Sequence, residues 1–234
     1  MLTLLSALKF GSIAATSGTM LISIAVYASV FGWRYAAGFV ALLLVHELGH
    51  YMAARRRGLL VGAPIFIPFV GAHIALKQQP HDVETEAYVA IAGPIVGSFG
   101  AFAMYALARV QDNDLFLAVA YAGFFLNLFN LLPLSPLDGG RITAILSPRI
   151  WLLGAPLMGV AYLLHPSPIF IVIALSAIPK LRQAWHYDPR SPQNLAYFGV
   201  PMGTRIEYMV LYLALIVVLA AMTWSVHGML GGIR

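Results

Sequence analysis

The sequence predicts an all-α membrane protein: a polytopic bundle of about six transmembrane helices with a short re-entrant or β-hairpin segment near residues 62–77. Three observations predict it. Of the 234 residues, 60% are apolar and only 10% charged, whereas a soluble domain carries about 25% charged residues. Several apolar runs reach the roughly 20 residues that cross a bilayer as a helix. The Lys and Arg residues gather at the ends of those runs, where they orient spans. The net charge of +5 therefore speaks of membrane topology and not of nucleic acid. Cysteine is absent, which excludes a disulfide framework, a thiolate ligand and a thiol nucleophile; a metal site must draw on His, Asp or Glu. Neither an internal repeat nor a soluble domain interrupts the chain, which reads as one membrane domain over 1–234 with its core at about 35–147.

In order, the first span is Ser12 to Trp33. Lys9 follows the first apolar residues instead of preceding them, so this segment reads as a retained helix and not as a signal peptide. The second span, Tyr35 to Ala54, ends in Arg55-Arg56-Arg57, which places that end on the cytoplasmic side. In 62–77 (GAPIFIPFVGAHIALK), Pro64 and Pro68 rule out a straight helix. Gly and Pro punctuating β-branched and aromatic residues suggest a hairpin or re-entrant loop, which membrane depth tolerates only against protein or water. Gln78 to Glu86 is a polar connector. The third span, Ala87 to Ala108, carries Gly93, Gly97 and Gly100 for close helix packing, and Pro94 as a potential kink. After an outer turn at Gln111 to Asp114, the fourth span starts near Leu115 and runs into NLLPLSPLDGGR (130–141), where Pro133 and Pro136 break the helix. Ile150 to Leu164 and Ile169 to Ile178, split by His165-Pro-Ser-Pro168 and flanked by Arg149 and Lys180, suit a membrane hairpin with both ends inside. Arg182 to Thr204 reads as a cytoplasmic loop, and Ile206 to Trp224 as the last span.

His-Glu-Leu-Gly-His at 46–50 is the chemistry-bearing stretch. Residues four apart share a helix face, so His46 and His50 can aim both imidazoles at one metal ion, with Glu47 beside them as the expected general base. Ionisable groups inside a span are costly and point to function. A helix rise of 1.5 Å per residue puts the two histidines about 13 and 7 Å inside the boundary at Arg55. Catalytic zinc takes three protein ligands and leaves one position open. Asp82, Glu84, Glu86 and Asp188 lie in polar loops, where solvation accounts for them. Asp138 alone among the carboxylates ends an apolar span at matching depth, on what reads as irregular backbone, and is the expected third ligand. Zn²⁺ there would lower the pKa of a bound water to about 7, and Glu47 would take its proton and return it to a leaving amine. Asn130 suits either a hydrogen bond to substrate or oxyanion or an interhelical one; Asn127, one turn earlier, reads as structural. His73, His81, His165, His186 and His227 lack partners at ligand spacing.

The pairing of HELGH with NLLPLSPLDGG resembles the site-2 protease family of intramembrane zinc metalloproteases, in a compact form with room for neither a PDZ nor a CBS domain. His46, Glu47, His50, Asn130, Pro133, Asp138 and Gly139 match the family pattern, and Gly93-Pro94 matches its glycine-proline pair. Gly97 departs from it, standing where many members carry Asn. The resemblance implies Asp138 as the third ligand, Asn130 as a substrate-binding residue, and hydrolysis of a peptide bond in or near the transmembrane segment of a membrane-anchored protein. It further implies a prokaryotic cell membrane and release of a regulator toward the cytoplasm. The rival expectation is a non-proteolytic metal-binding membrane protein or transporter, which would need ionisable groups through both membrane halves.

Overall fold

The computed structural model describes the backbone of residues 2–69, 71–76, 78–164 and 166–231, with side chains from residue 14 onward in those ranges apart from 75 and 76. His165, Val70 and Lys77 lie outside the described residues. The helices are α1 (Leu2–Phe31), α2 (Trp33–Arg56), α3 (Val83–Gln111), α4 (Asp114–Asn130), α5 (Asp138–Thr143), α6 (Trp151–Leu164), α7 (Pro168–Trp185), α8 (Pro192–Phe198) and α9 (Met202–Gly231). Strands β1 (Val61–Ile67) and β2 (Gly71–Leu76) pair antiparallel, with Ile67 opposite Gly71 and Pro64 opposite Ile74. Of the two readings of 62–77, the hairpin is the one observed.

Among the described residues, four helices are long and apolar enough to cross a membrane: Ala14–Phe31 of α1, and α2, α3 and α9. The expected six or so are reached only by adding shorter helices. At 17 residues α4 is about 26 Å long, and at 14 residues α6 is about 21 Å. The structure differs from the sequence expectation in two stretches, and side-chain capping accounts for the starts of α3 and α8 there. Helix α3 begins in the supposed connector because Asp82 accepts a hydrogen bond from the Thr85 amide at 2.6 Å, satisfying an otherwise orphaned donor. In the supposed loop 182–204, α7 continues to Trp185 and Ser191 caps α8 through the Asn194 amide.

Helices α2, α3 and α4 form the centre. Phe124 and Ala120 of α4 are buried with Ala90 and Ala101 of α3 and Tyr212 and Leu219 of α9. On the opposite flank of α2, Tyr27 of α1, Val40 and Leu43 of α2 and Phe66 of β1 form a second cluster. Lipid is as apolar as Leu, so helices in a membrane associate through close packing and polar contacts instead of hydrophobic burial. The polar contacts here tie down the stretch after α4. Tyr212 donates to the Leu131 carbonyl at 2.5 Å, and Trp151 Nε1 donates to the Gly140 carbonyl at 2.7 Å. Arg205 donates to the carbonyls of Leu146, Phe198 and Val200 at 2.6–3.0 Å. Leu131 and Phe198 stand at helix C-termini, where carbonyls lack intrahelical partners, and the bond to Gly140 ties α5 directly.

Candidate metal centre

Helix α2 carries His46, Glu47 and His50 on its buried side, and α5 carries Asp138; each of the four residues is 4–6% exposed. His46 Nε2 and His50 Nε2 lie 3.0 Å apart, and Asp138 Oδ2 is 3.2 Å from both. The far ring nitrogens are each engaged. His46 Nδ1 is 2.8 Å from Asn127 Oδ1, and His50 Nδ1 is 2.8 Å from the Val89 carbonyl. The Asn127 amide is oriented by its own NH2 group, which donates to the Gly123 carbonyl at 2.7 Å. Both partners are acceptors, so both Nδ1 atoms carry the proton and both Nε2 atoms present a lone pair. Three acceptors thus converge in a dry place, where they repel unless a cation stands among them. Two neutral imidazoles and a carboxylate suit zinc. In a tetrahedral site with bonds of about 2.0–2.1 Å, neighbouring ligand atoms are about 3.3 Å apart, close to the 3.0–3.2 Å sides of this triangle. A Glu47 carboxylate oxygen lies within 4.8 Å of a ring nitrogen of each histidine, near the group without belonging to the triangle.

Glycines make the approach possible. A Cβ on Gly49 would overlap the Ala92 carbonyl, and one on Gly93 would overlap the His50 imidazole. A Cβ on Gly97 would overlap the Asn127 amide. The packing role expected of Gly93 and Gly97 is therefore specific to this centre: they clear room for one histidine and for the partner of the other. Asp138 also differs from expectation. It opens α5 instead of lying on irregular backbone. The following glycines are needed because a Cβ on Gly139 or Gly140 would strike backbone of the 131–135 turn.

Asn130 is half-buried at the last position of α4, and among the described residues no hydrogen bond joins it to the histidines. Asn127, read from the sequence as merely structural, is fully buried and touches His46 directly. The signal was its place one turn before Asn130 on the same face. Glu86 was read as a solvated loop carboxylate. It lies instead in the first turn of α3, where it accepts a hydrogen bond from Tyr197 at 2.6 Å and pairs with Arg141 at 3.5 Å. His81 pairs with Asp82 at 3.1 Å, well away from the centre in sequence and exposed.

A buried His-Glu-x-x-His turn on one helix facing a carboxylate from a later helix is a donor set that can hold zinc with a second carboxylate beside it. The comparisons with known proteins agree. The model of peptidase family M50 matches residues 34–113. The putative zinc metalloprotease Rip3 of Mycobacterium tuberculosis is 36% identical over 129 residues, covering 50% of this chain and 32% of the relative. Zinc metalloprotease MJ0392 of Methanocaldococcus jannaschii is 32% identical over 117 residues, 47% of this chain and 33% of the relative. Stage IV sporulation protein FB of Bacillus subtilis is 30% identical over 107 residues, 45% of this chain and 37% of the relative. Over residues 34–113 the chain is thus similar to peptidase family M50. Its matched part spans about a third of the length of these relatives.

Proposed function

We propose that this chain is an intramembrane zinc metalloprotease. It hydrolyses a peptide bond in or near the transmembrane segment of a membrane-anchored protein and releases a regulator toward the cytoplasm. The observation that carries the reading is the triangle of His46 Nε2, His50 Nε2 and Asp138 Oδ2, with the Glu47 carboxylate close by in a buried site. In this reading the single membrane domain is 1–234, its catalytic core 35–147, and its setting the cell membrane of a prokaryote. His46, His50 and Asp138 hold Zn²⁺, which when bound polarises a carbonyl and acidifies water. Glu47 takes the proton from the attacking water and gives it to the leaving amine. Asn130, at the mouth of the turn after α4, hydrogen-bonds the substrate carbonyl. A transporter reading finds little support: among the described residues the buried histidine, Asp and Glu side chains are His46, Glu47, His50 and Asp138, all in one cluster.

The test is zinc content beside cleavage of a model transmembrane substrate by the purified protein in detergent. Glu47→Gln keeps the volume and removes the base, so zinc stays and turnover falls at least about 10²-fold. Asp138→Ala loses zinc and activity together. A Glu47→Gln variant that loses zinc, beside an Asp138→Ala variant that keeps it and still cleaves, overturns the assigned roles.

A further inference from the structure

Asp138 divides its carboxylate between two neighbourhoods. Oδ2 faces the two histidines at 3.2 Å, while Oδ1 faces Arg141 Nη1 at 3.7 Å. Arg141 Nε in turn faces Glu86 Oε1 at 3.5 Å, and Glu86 Oε2 accepts the Tyr197 hydroxyl at 2.6 Å. A continuous line of side chains therefore runs from α8, through the start of α3, to α5. Arg141 and Asp138 are three residues apart on one face of α5, so the helix presents them together. The arginine is not a surface group, since its side chain is only 21% exposed.

A cation this close to a metal site opposes the metal unless its charge is met elsewhere. Glu86 meets it, and Tyr197 fixes the Glu86 carboxylate. The planar guanidinium fork can hold two carboxylates at a set angle, which a lysine cannot. We propose that Arg141 is a positioning residue for Asp138, held in place by Glu86 and Tyr197. It retains Oδ1, so that only Oδ2 turns to the histidines. Asp138 then supplies one oxygen instead of two, and a coordination position is left for water. Partners of this kind orient metal ligands, and losing one costs about 10–100-fold in metal affinity. The proposal rests on the zinc reading above. Through Tyr197 it also makes the α8 segment a contributor to the geometry of a centre it does not touch.

The experiment uses the full chain in detergent, with three readouts: the chelator concentration that removes half the zinc, the visible spectrum of the cobalt-substituted protein, and the melting temperature without metal. Arg141→Gln shifts the chelator midpoint by about 10-fold or more and alters the cobalt spectrum, as a changed coordination number requires. Glu86→Gln and Tyr197→Phe move both readouts in the same direction by less. The Glu86→Gln, Arg141→Gln double variant is no weaker than Arg141→Gln alone, and Arg141→Lys recovers only part of the loss. An unchanged midpoint and spectrum in Arg141→Gln overturns the proposal, as do losses that merely track melting temperature or add independently. Should Arg141→Gln not fold, unchanged readouts in both Glu86→Gln and Tyr197→Phe overturn it equally, and a shift in both supports it. Wild-type protein that holds no zinc rejects the zinc reading itself. Wild-type zinc that depends on Asp138 but is indifferent to Arg141 rejects this proposal alone.

Discussion

His46 Nδ1 lies 2.8 Å from Asn127 Oδ1, which joins the helix of the His-Glu-x-x-His turn to α4 and sets which imidazole nitrogen faces Asp138. Asn127 and Asn130 sit one turn apart, yet their replacements should behave differently. Asn127→Ala frees the His46 ring to rotate or change tautomer, and zinc affinity should fall about 10–100-fold. Asn130→Ala should leave zinc in place and slow turnover by about 10²–10³-fold if it contacts the oxyanion. Chelator titration beside substrate cleavage separates the two, and equal zinc retention in both variants would refute the role of Asn127.

Gly97 is coupled to Asn127 by space. Because a Cβ at position 97 would overlap the Asn127 amide, Gly97→Ala should push that amide off His46 and lower zinc affinity in the manner of Asn127→Ala. The site-2 protease pattern often has Asn at this position of the third span. The Gly97→Asn, Asn127→Ala double variant should therefore hold zinc better than either single variant, since one amide is moved from α4 to α3. A double variant as weak as the sum of the singles would show that only α4 can supply the partner.

Among the described residues, the two outer edges of the hairpin differ in their hydrogen bonding. Thr16 of α1 donates to the Pro64 carbonyl at 2.7 Å, and the Phe66 amide donates to Thr19 at 3.2 Å. Helix α1 thus covers the outer edge of β1, and among the described residues no hydrogen bond reaches the outer edge of β2. If the unwound substrate binds by strand addition, β2 is where it adds. Amides along an antiparallel strand alternate between partner and outside. The Phe66 amide points outward, to Thr19, and Phe66 pairs with Ala72, so the Ala72 amide also points outward. Ala72→Pro should then slow cleavage with zinc retained and the hairpin intact, whereas Ile67→Pro should damage the hairpin itself. Undiminished cleavage by Ala72→Pro would count against strand addition on β2.

Sidedness can be read by impermeant thiol labelling, since the chain has no native cysteine. The Arg55-Arg56-Arg57 end of α2 is expected inside, and α3 leads from that side to Gln111. A cysteine at exposed Gln79 should be protected from external reagent, and one at exposed Gln111 should react. Gln111 is preferable to Asn113, whose side chain caps α4 through the Leu115 and Phe116 amides. Labelling in the opposite sense would place the metal centre toward the outside.

Asp82 makes the start of α3 acid-sensitive. Partial burial alone would raise its carboxyl, but the hydrogen bonds from Thr85 and the nearby His81 and Arg57 outweigh that and hold it below its usual 3.8. A depressed carboxylate stabilises the folded state above its unfolded pKa, and that contribution disappears as pH falls through the folded value. Asp82→Ala should lower stability by about 1 kcal/mol near neutral pH, with the difference from wild type shrinking below about pH 4. Thermal unfolding of both proteins across that range checks it; a difference that persists at low pH would assign the cap no charge-dependent part.

The spacing of His46 and His50 was legible in the sequence because i and i+4 share a face in any α-helix, whatever surrounds it. The apolar runs were legible for a similar reason, since crossing a bilayer constrains composition locally. Asp138 could be singled out by its depth, and the 62–77 hairpin by its Gly and Pro punctuation. What lies across the helix crossings was not legible. Asn127 became the partner of His46, and Glu86 the partner of Arg141, only when α3 and α4 packed against α2 and α5 at a distance that Gly93, Gly97 and Gly139 permit. The chain between these residues carries no period that records their meeting, because a ring nitrogen takes whichever acceptor the neighbouring helix brings within about 3 Å. Helical periodicity alone therefore aimed the two imidazoles, while the tertiary packing of α3, α4 and α5 decided their tautomers, the oxygen that Asp138 turns toward them, and the groups that hold it there.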